Sequence, residues 1–234
     1  TGDPAPGLYR IDVGSRGGFN NVTPTASSGL KSGETIFTNG LKNNFQDAIR
    51  NGTTQVAQLD GAASGYILNF NPTKTIVADV IESMSDITNT YFGIGHTELA
   101  GNLAKVIDSA SRNGITGLRL IGHSQGAAIT ASALRFAADT GLDLSAVGSV
   151  SLHGAPINDM FVKKSLARRT GINTQQLFTR AQFGDPIHNI LGANFLSNPL
   201  SLPFSAIRIP HLFSGDATLS PHTVPCFGGR TAVC

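Results

Sequence analysis

The stretch LRLIGHSQGAA, residues 118–128, decides the fold. An apolar, strand-like run meets Gly-x-Ser-x-Gly, and small residues at helical spacing follow it. This pattern is typical of a strand–turn–helix junction that leaves a serine at the tip of a sharp turn. Gly122 and Gly126 supply the room that the turn needs, because larger side chains would collide with it. We therefore predict that Ser124 is a nucleophile, and the alternative is an ordinary turn with an incidental serine.

Composition indicates one globular domain spanning residues 1–234. Hydrophobic residues make up 40% of the chain, and mean hydropathy is close to zero (+0.03). No apolar run reaches the roughly 18 residues that a transmembrane helix needs. The net charge of +2 and the lack of a long basic block argue against nucleic acid as a partner. The densest basic cluster, at 163–169, is expected to be a solvated helix face, with a binding patch as the alternative.

The two ends of the chain have the composition of connecting segments. Residues 1–6 contain two prolines and a glycine and are interpreted as a linker or a processing edge. The sequence shows no signal peptide, so we expect a mature or excised domain. Residues 223–234 form a C-terminal tail in which Cys226 and Cys234 are spaced for a small disulfide loop. Such a loop would fit an oxidising compartment, and two free thiols are the alternative.

Hydrophobic periodicity predicts alternating strands and helices along the chain. Predicted strands lie at 7–14, 35–38, 66–70, 118–121, 146–152, 176–183 and 206–209. Predicted helices lie at 41–50, 74–84, 97–112, 125–139 and 158–170, with a loop at 15–34 and irregular structure at 88–95. Strands that alternate with helices of crossover length favour an α/β fold, with a mostly parallel central sheet and helices on both faces.

A serine hydroxyl needs a base to act as a nucleophile, and the base needs an acid to orient it. In the Gly-x-Ser-x-Gly architecture the acid follows the serine and the histidine comes last. Asp185 is the favoured acid, because it ends the second predicted strand after Ser124 and Pro186 turns the chain directly behind it. Asp159 is the main competitor, although it is better interpreted as a capping residue of the helix at 158–170. Asp216 is a third candidate.

Five histidines compete for a role near Ser124. His222, in a late loop 37 residues past Asp185 (222 minus 185), is the favoured base, and His211 is its rival because it follows the last predicted strand directly. His188 would require one loop to supply both acid and base. His153 ends a strand beside the turn and is expected to line the site, whereas His123 is expected to pack beneath it.

An oxyanion formed during ester cleavage needs preset N–H donors. One is expected from the backbone of Gln125, the residue after the serine, and the second from the loop after the third strand. That loop is Asn39-Gly40-Leu41, so the second donor is Gly40 or Leu41. A plain Asn-Gly turn is the alternative interpretation. This chemistry needs no cofactor and no metal ion.

From about residue 7 to residue 225 the chain resembles the α/β-hydrolase superfamily. The run from Gly122 to Ala128 is similar to the serine turn of lipases. Asp185-Pro186-Ile187 is similar to the Asp-Pro-Val turn that carries the acid in fungal-type triglyceride lipases. The chain lacks the glycine-rich run that usually follows a histidine at the oxyanion loop. The resemblance implies an α/β-hydrolase fold and a triad of Ser124, His222 and Asp185.

Three further motifs resemble lipase- or esterase-like domains of bacterial secreted effectors and polymorphic toxins. They are FTNG at 37–40, NFNPT at 69–73 and HGAP at 153–156. This resemblance implies a secreted or delivered effector domain that acts on lipids without its own signal. It also implies an immunity protein or a carrier protein as a partner.

These features predict a serine ester hydrolase, most specifically a lipase or phospholipase acting on acyl esters. The apolar stretch at 187–204, broken by glycine and proline, is expected to form an acyl-site wall or lid. Transient contact with a membrane surface would follow, and ordinary core packing is the alternative. An acyltransferase or thioesterase with the same triad is a second hypothesis. A non-catalytic binding domain is a third, because a fold does not determine a function.

Overall fold

A mostly parallel β-sheet organises the chain. The structure, a computed structural model, describes residues 3–14, 19–40, 43–60, 65–72, 86–87, 90–93, 95–180, 185, 187, 189, 193–196, 200, 203 and 206. Several predictions lie outside these residues: the helix at 74–84, the tail at 223–234 with Cys226 and Cys234, Leu41, His188, His211, Asp216 and His222.

The described residues form a seven-stranded sheet. Its strands are β1 (Gly7–Val13), β2 (Phe19–Pro24), β3 (Thr35–Thr38), β4 (Gly65–Phe70), β5 (Leu118–His123), β6 (Val147–His153) and β7 (Leu177–Arg180). Their order in the sheet is β2-β1-β4-β3-β5-β6-β7. β1 runs antiparallel to β2 and β4, and every other pair is parallel. The carboxyl ends of β3, β4, β5, β6 and β7 therefore meet at one edge.

Helices cover both faces of this sheet. They are α1 (Phe45–Asp60), α2 (Glu98–Arg112), α3 (Gln125–Thr140) and a helical segment at 159–170, here called α4, whose middle part, Val162–Leu166, is a π-helix. Thr97 caps α2 by accepting the N–H of Ala100 on its hydroxyl (3.2 Å). α3 ends at Gly141, which has a left-handed φ of 71°. The predicted helices at 97–112 and 125–139 are confirmed.

Alternating side chains of the strands build a core on each face. Ile36 and Leu120 point to the face that α2 and α3 cover, whereas their chain neighbours Phe37 and Ile121 point to the face that α1 covers. This alternation is the period of two that strand geometry imposes. β3 and β5 are buried on both faces, as central parallel strands are, although β3 carries two threonines and β5 carries Arg119 and His123 among its apolar residues. The predicted α/β fold with a mostly parallel sheet is confirmed.

The structure corrects four local predictions. Residues 19–24 form β2 rather than a loop, residues 90–92 are helical rather than irregular, and Ala206 is helical rather than part of a strand. β2 escaped prediction because it is a polar edge strand that pairs only with β1. α1 begins at Phe45 rather than at residue 41 and continues to Asp60, ten residues past its predicted end.

The extension of α1 runs through a glycine that would ordinarily indicate its end. Gly52 faces Tyr66 of β4, and a Cβ at this position would lie 2.5 Å from the tyrosine hydroxyl oxygen. That hydroxyl donates to the carbonyl oxygen of Ile49 (2.7 Å). The glycine therefore permits close packing of the helix on the sheet. Among the described residues, no helix combines the length and apolar composition that a membrane span requires.

Candidate active site

Ser124 occupies the sharp turn between β5 and α3. Its backbone has φ 56° and ψ −124°, in the half of conformational space that side-chain-bearing residues rarely adopt. The Ser124 N–H donates to the carbonyl oxygen of His153 at the end of β6 (2.8 Å). Neighbouring strand ends thus hold the serine in a strained conformation, as the Gly-x-Ser-x-Gly pattern predicts for a nucleophile turn.

The two glycines of the motif are required by close backbone contacts. A Cβ on Gly122 would lie 2.6 Å from the Cα of Ala127 and from the carbonyl oxygen of Gly126. A Cβ on Gly126 would lie 2.1 Å from the carbonyl oxygen of Thr38 and 2.5 Å from that of Asn39. These distances are far inside van der Waals contact. The start of α3 is therefore pressed against both the strand before it and the end of β3.

The loop after β3 lies directly against Ser124. A Cβ on Gly40 would be 2.8 Å from the Cβ of Ser124 and 2.8 Å from the carbonyl oxygen of His123. Gln125 begins α3, and the first amides of an α-helix have no acceptor within the helix. The positive end of the helix dipole adds to their attraction for negative charge. The structure thus places Gly40 and Gln125 beside Ser124, and their role as N–H donors stays a prediction.

Buried amide side chains fix this loop, and sequence reasoning missed them. Asn39 donates its side-chain N–H groups to the carbonyl oxygens of Gly40 (3.1 Å) and Asn71 (2.8 Å), and its Oδ1 accepts the N–H of Asn71 (2.7 Å). Asn43 also donates to the carbonyl oxygen of Gly40 (2.9 Å). Asn71 in turn donates to Oε1 of Gln125 (2.9 Å). The network links the ends of β3 and β4 to the first residue of α3.

A sequence signal for this network does exist. Asn39 and Asn71 each directly follow a buried strand, at the sheet edge where functional side chains gather. The sequence places Asn39 in the predicted oxyanion loop and both asparagines in motifs of the second resemblance, but it gives neither side chain a role. The position of these two asparagines at the ends of buried strands, rather than their residue type, indicates a role near the site.

Two histidines are buried beside the turn. A Cβ on Gly40 would lie 3.3 Å from Nδ1 of His123, so the buried ring of His123 lies against the loop after β3. Burial, together with the positive charge of Arg180, lowers the pKa of His153 from 6.5 to about 4. His153 is therefore neutral near neutral pH.

The shifted pKa of His153 predicts acid sensitivity. The unfolded chain takes up a proton on this residue below about pH 6.5, whereas the folded protein does so only near pH 4. Its contribution to stability is thus complete above pH 6.5 and is lost as the pH falls towards 4, by about 3 kcal/mol. Urea unfolding of the wild type and of His153→Gln, at about pH 7 and about pH 4.5, measures this loss. An equal fall in the free energy of unfolding of the two proteins between these pH values would contradict the prediction.

The two carboxylate candidates have different surroundings. Asp185 follows β7 and is fully buried, with its Oδ1 accepting the N–H of Ile187 (2.9 Å). Asp159 lies half-buried in the first turn of α4, where Asn158 is the capping residue, and its N–H donates to Oδ1 of Asn194 (3.0 Å). The helix cap is thus Asn158 rather than Asp159, so the capping role predicted for Asp159 is wrong.

Comparisons with known proteins give similarity in structure only. The sequence matches no protein-family model, and no curated protein matches it. The fold is similar to a Trichoderma reesei cutinase in complex with a C11Y4 phosphonate inhibitor, at 16% identity and a TM-score of 0.43, covering 79% of this chain and 78% of that chain. A cutinase-like protein from Cryptococcus sp. is 18% identical with a TM-score of 0.42, and the match covers 78% of this chain and 97% of that chain. A hyperthermophilic esterase from the archaeon Pyrobaculum calidifontis is 14% identical with a TM-score of 0.35, and the match covers 76% of this chain and 57% of that chain.

The chain has the α/β-hydrolase fold. The strand order, the serine turn after β5 and the β3–α1 loop packed against that turn carry this assignment. The similarities to solved structures are too weak to add to it.

Proposed function

We propose that the protein is a serine ester hydrolase of the lipase or phospholipase type. The observation that carries the proposal is the strained backbone of Ser124, which stands between the N-terminus of α3 and Gly40. A strained, glycine-flanked serine beside helix-terminal amides is the arrangement that acyl transfer through a serine requires.

In the proposed reaction, Oγ of Ser124 attacks the carbonyl carbon of an acyl ester, and His222 takes the hydroxyl proton. Asp185 orients His222 and stabilises its protonated form. The N–H groups of Gln125 and Gly40 stabilise the negative charge on the tetrahedral intermediate. His222 then protonates the leaving alcohol, and an acyl-enzyme remains. Water, activated by His222, releases the carboxylic acid.

The asparagine network supports the oxyanion donors in this scheme. Two side-chain amides, from Asn39 and Asn43, hold the carbonyl oxygen of Gly40. This anchoring restrains the backbone of Gly40, whose N–H is the proposed second donor. Asn71 joins the same network to the side chain of Gln125. Donors held in this way need no reorganisation when charge develops, which is the main source of their catalytic effect.

Fluorophosphonate labelling tests the proposal. We expect the wild type to take up one label per chain on Ser124 and to hydrolyse a soluble p-nitrophenyl ester. We expect Ser124→Ala to take up none and to lose at least about 10³-fold in kcat. Ser145→Ala, which changes an exposed turn serine, is the matched control and should behave as the wild type does. Undiminished labelling of Ser124→Ala would refute the assignment.

Product analysis with an added alcohol acceptor completes the experiment. Free carboxylic acid is the expected main product. Transfer of the acyl group to the alcohol at a higher rate than to water would instead show an acyltransferase that uses the same serine.

A further inference from the structure

Three separate segments meet beside the site and are joined by specific contacts. The N–H of Asn158 donates to the hydroxyl of Tyr91 (2.6 Å), whose ring packs against Phe161 with centroids 4.3 Å apart. Asn194 accepts the N–H of Asp159 on its Oδ1 (3.0 Å) and donates its side-chain amide to the carbonyl oxygen of Ile157 (3.0 Å). Residues 90–93, 157–161 and 193–196 therefore form one connected structure.

Each of these segments exposes a large apolar side chain. Phe92 is 71% exposed, Met160 is 55% exposed and Leu196 is 72% exposed. Each lies within two residues of a contact that joins the segments. We call these three side chains the apolar rim. The stretch at 187–204 was expected either to line an acyl site or to pack in the core, and Leu196 does not pack in the core.

α4 places basic residues next to the apolar rim. Lys163, Lys164 and Arg168 are exposed, and Lys163 and Lys164 follow Met160 by three and four residues, within about one helical turn of it. Within the described part of the chain, no carboxylate forms an ion pair with these three basic residues. The neighbouring Arg169, by contrast, is paired with Asp139 (3.2 Å). We call Lys163, Lys164 and Arg168 the basic face.

We propose that the apolar rim and the basic face together dock the protein on an anionic lipid bilayer. The proposal rests on the proposed function, because it places the ester substrate in that bilayer. Basic side chains are attracted to anionic headgroups, and exposed apolar side chains beside them insert into the interfacial layer. The basic cluster at 163–169 is thus a binding surface rather than only a solvated helix face.

A lipid surface fits this composition better than a protein partner does. Lysine is depleted from the centres of protein–protein interfaces, whereas Lys163 and Lys164 follow Met160 within about one helical turn. Membrane surfaces favour the opposite arrangement, in which lysine lies beside exposed apolar groups. The charge on the basic face therefore points to anionic lipid.

A short stretch of chain connects the docking surface to the candidate active site. The chain leaves β6 at His153, whose carbonyl oxygen holds the Ser124 N–H, and reaches the cap of α4 at Asn158 five residues later (158 minus 153). Between them, residues 154–157 are buried. A bilayer bound at α4 would lie one short, packed segment away from the nucleophile.

Vesicle co-sedimentation tests the proposal. The protein is used as Ser124→Ala, so that the lipid is not consumed, with vesicles of phosphatidylcholine alone or mixed with phosphatidylglycerol. We expect binding to the mixed vesicles that weakens with added salt. Each removed positive charge should lower the partition coefficient roughly fivefold. Lys163→Glu with Lys164→Glu should therefore lower it at least about 20-fold.

The matched control reverses two exposed lysines elsewhere, Lys31→Glu with Lys105→Glu, and gives the same change in net charge. It should lower partition much less than the α4 variant does. Met160→Asp should also weaken binding, because it removes an apolar group from the rim. Equal loss in the α4 variant and the control, or equal binding to both kinds of vesicle, would overturn the proposal. The surface could instead bind a second copy of the chain. In that case the protein would form a dimer that Met160→Asp dissociates, and it would not bind vesicles, which would also overturn the docking proposal.

Failure of docking and failure of the proposed function are separable. With Ser124 restored, the α4 variant should hydrolyse the soluble ester at the wild-type rate, because neither lysine belongs to the catalytic machinery. If vesicle binding is absent while Ser124-dependent hydrolysis of the soluble ester persists, docking is wrong and the proposed function stands. If hydrolysis does not depend on Ser124, the proposed function is wrong whatever the vesicles show.

Discussion

Gly126→Ala is expected to lower the free energy of unfolding by about 4 kcal/mol or more, enough to leave a marginal protein largely unfolded. The added methyl group would lie 2.1 Å from the carbonyl oxygen of Thr38 and 2.5 Å from that of Asn39. Both obstacles are backbone atoms at the end of a central strand, so no side-chain rotation relieves the overlap. The intrinsic gain of alanine over glycine in a helix, about 1 kcal/mol, opposes this loss but does not offset it.

Gly101→Ala provides the matched control for this substitution. Gly101 is also a buried glycine inside a helix, but a Cβ there meets only the ring of His96, at 3.2 Å from Cδ2. That ring belongs to an exposed side chain, which can shift by the small distance required. The free energies of unfolding of the two variants, measured with urea, should differ by at least about 3 kcal/mol. A difference below about 1 kcal/mol would show that β3 yields more easily than its central position implies.

Any folded fraction of Gly126→Ala should also be catalytically impaired. The atoms that the methyl group would displace belong to Thr38 and Asn39, and Asn39 anchors the carbonyl oxygen of Gly40. Displacement of the end of β3 would therefore move the β3–α1 loop relative to Ser124. Stability and activity are expected to be coupled here, because Gly126 both allows α3 to pack on the sheet and leaves the β3–α1 loop in place beside Ser124.

The sequence determined the interior of this fold better than its edges. α2 and α3 were predicted almost to the residue, because each has an apolar face of regular spacing and a recognisable terminus, Thr97 in one case and Gly141 in the other. β2 could not be predicted in the same way. Its residues are mostly polar and exposed, and its conformation depends on pairing with β1, which is a property of the assembled sheet.

In the candidate active site, too, local features can be predicted from the sequence and long-range contacts cannot. The serine turn is specified locally, because a strained serine needs glycines at fixed distances before and after it, and those spacings are visible in the chain. The asparagine network is not local. Asn39 and Asn71 are 32 residues apart and meet only because β3 and β4 are neighbours in the sheet. A network of this kind becomes predictable once strand order is known.

His222→Ala is expected to lower kcat for ester hydrolysis by at least about 10³-fold. The serine cannot lose its proton to solvent at a useful rate near neutral pH, so removal of the base stops acylation. His211→Ala is the control, and it should retain activity within a factor of a few if His222 is the base. Both variants can be compared by kcat for the soluble ester and by the rate of fluorophosphonate labelling. A larger loss in His211→Ala would assign the base to His211.

Asp185→Asn extends this test to the acid. Asp185 is fully buried and already accepts the N–H of Ile187 on its Oδ1, and we expect a histidine as a further partner of this carboxylate, because burying a charge is costly. If that partner is His222, Asp185→Asn should lower kcat by about 10⁴-fold, because an asparagine stabilises the wrong histidine tautomer. Residues that act as one unit have strongly non-additive effects. The double variant with His222→Ala should therefore be hardly slower than His222→Ala alone, whereas multiplied losses would show that Asp185 acts independently of this histidine.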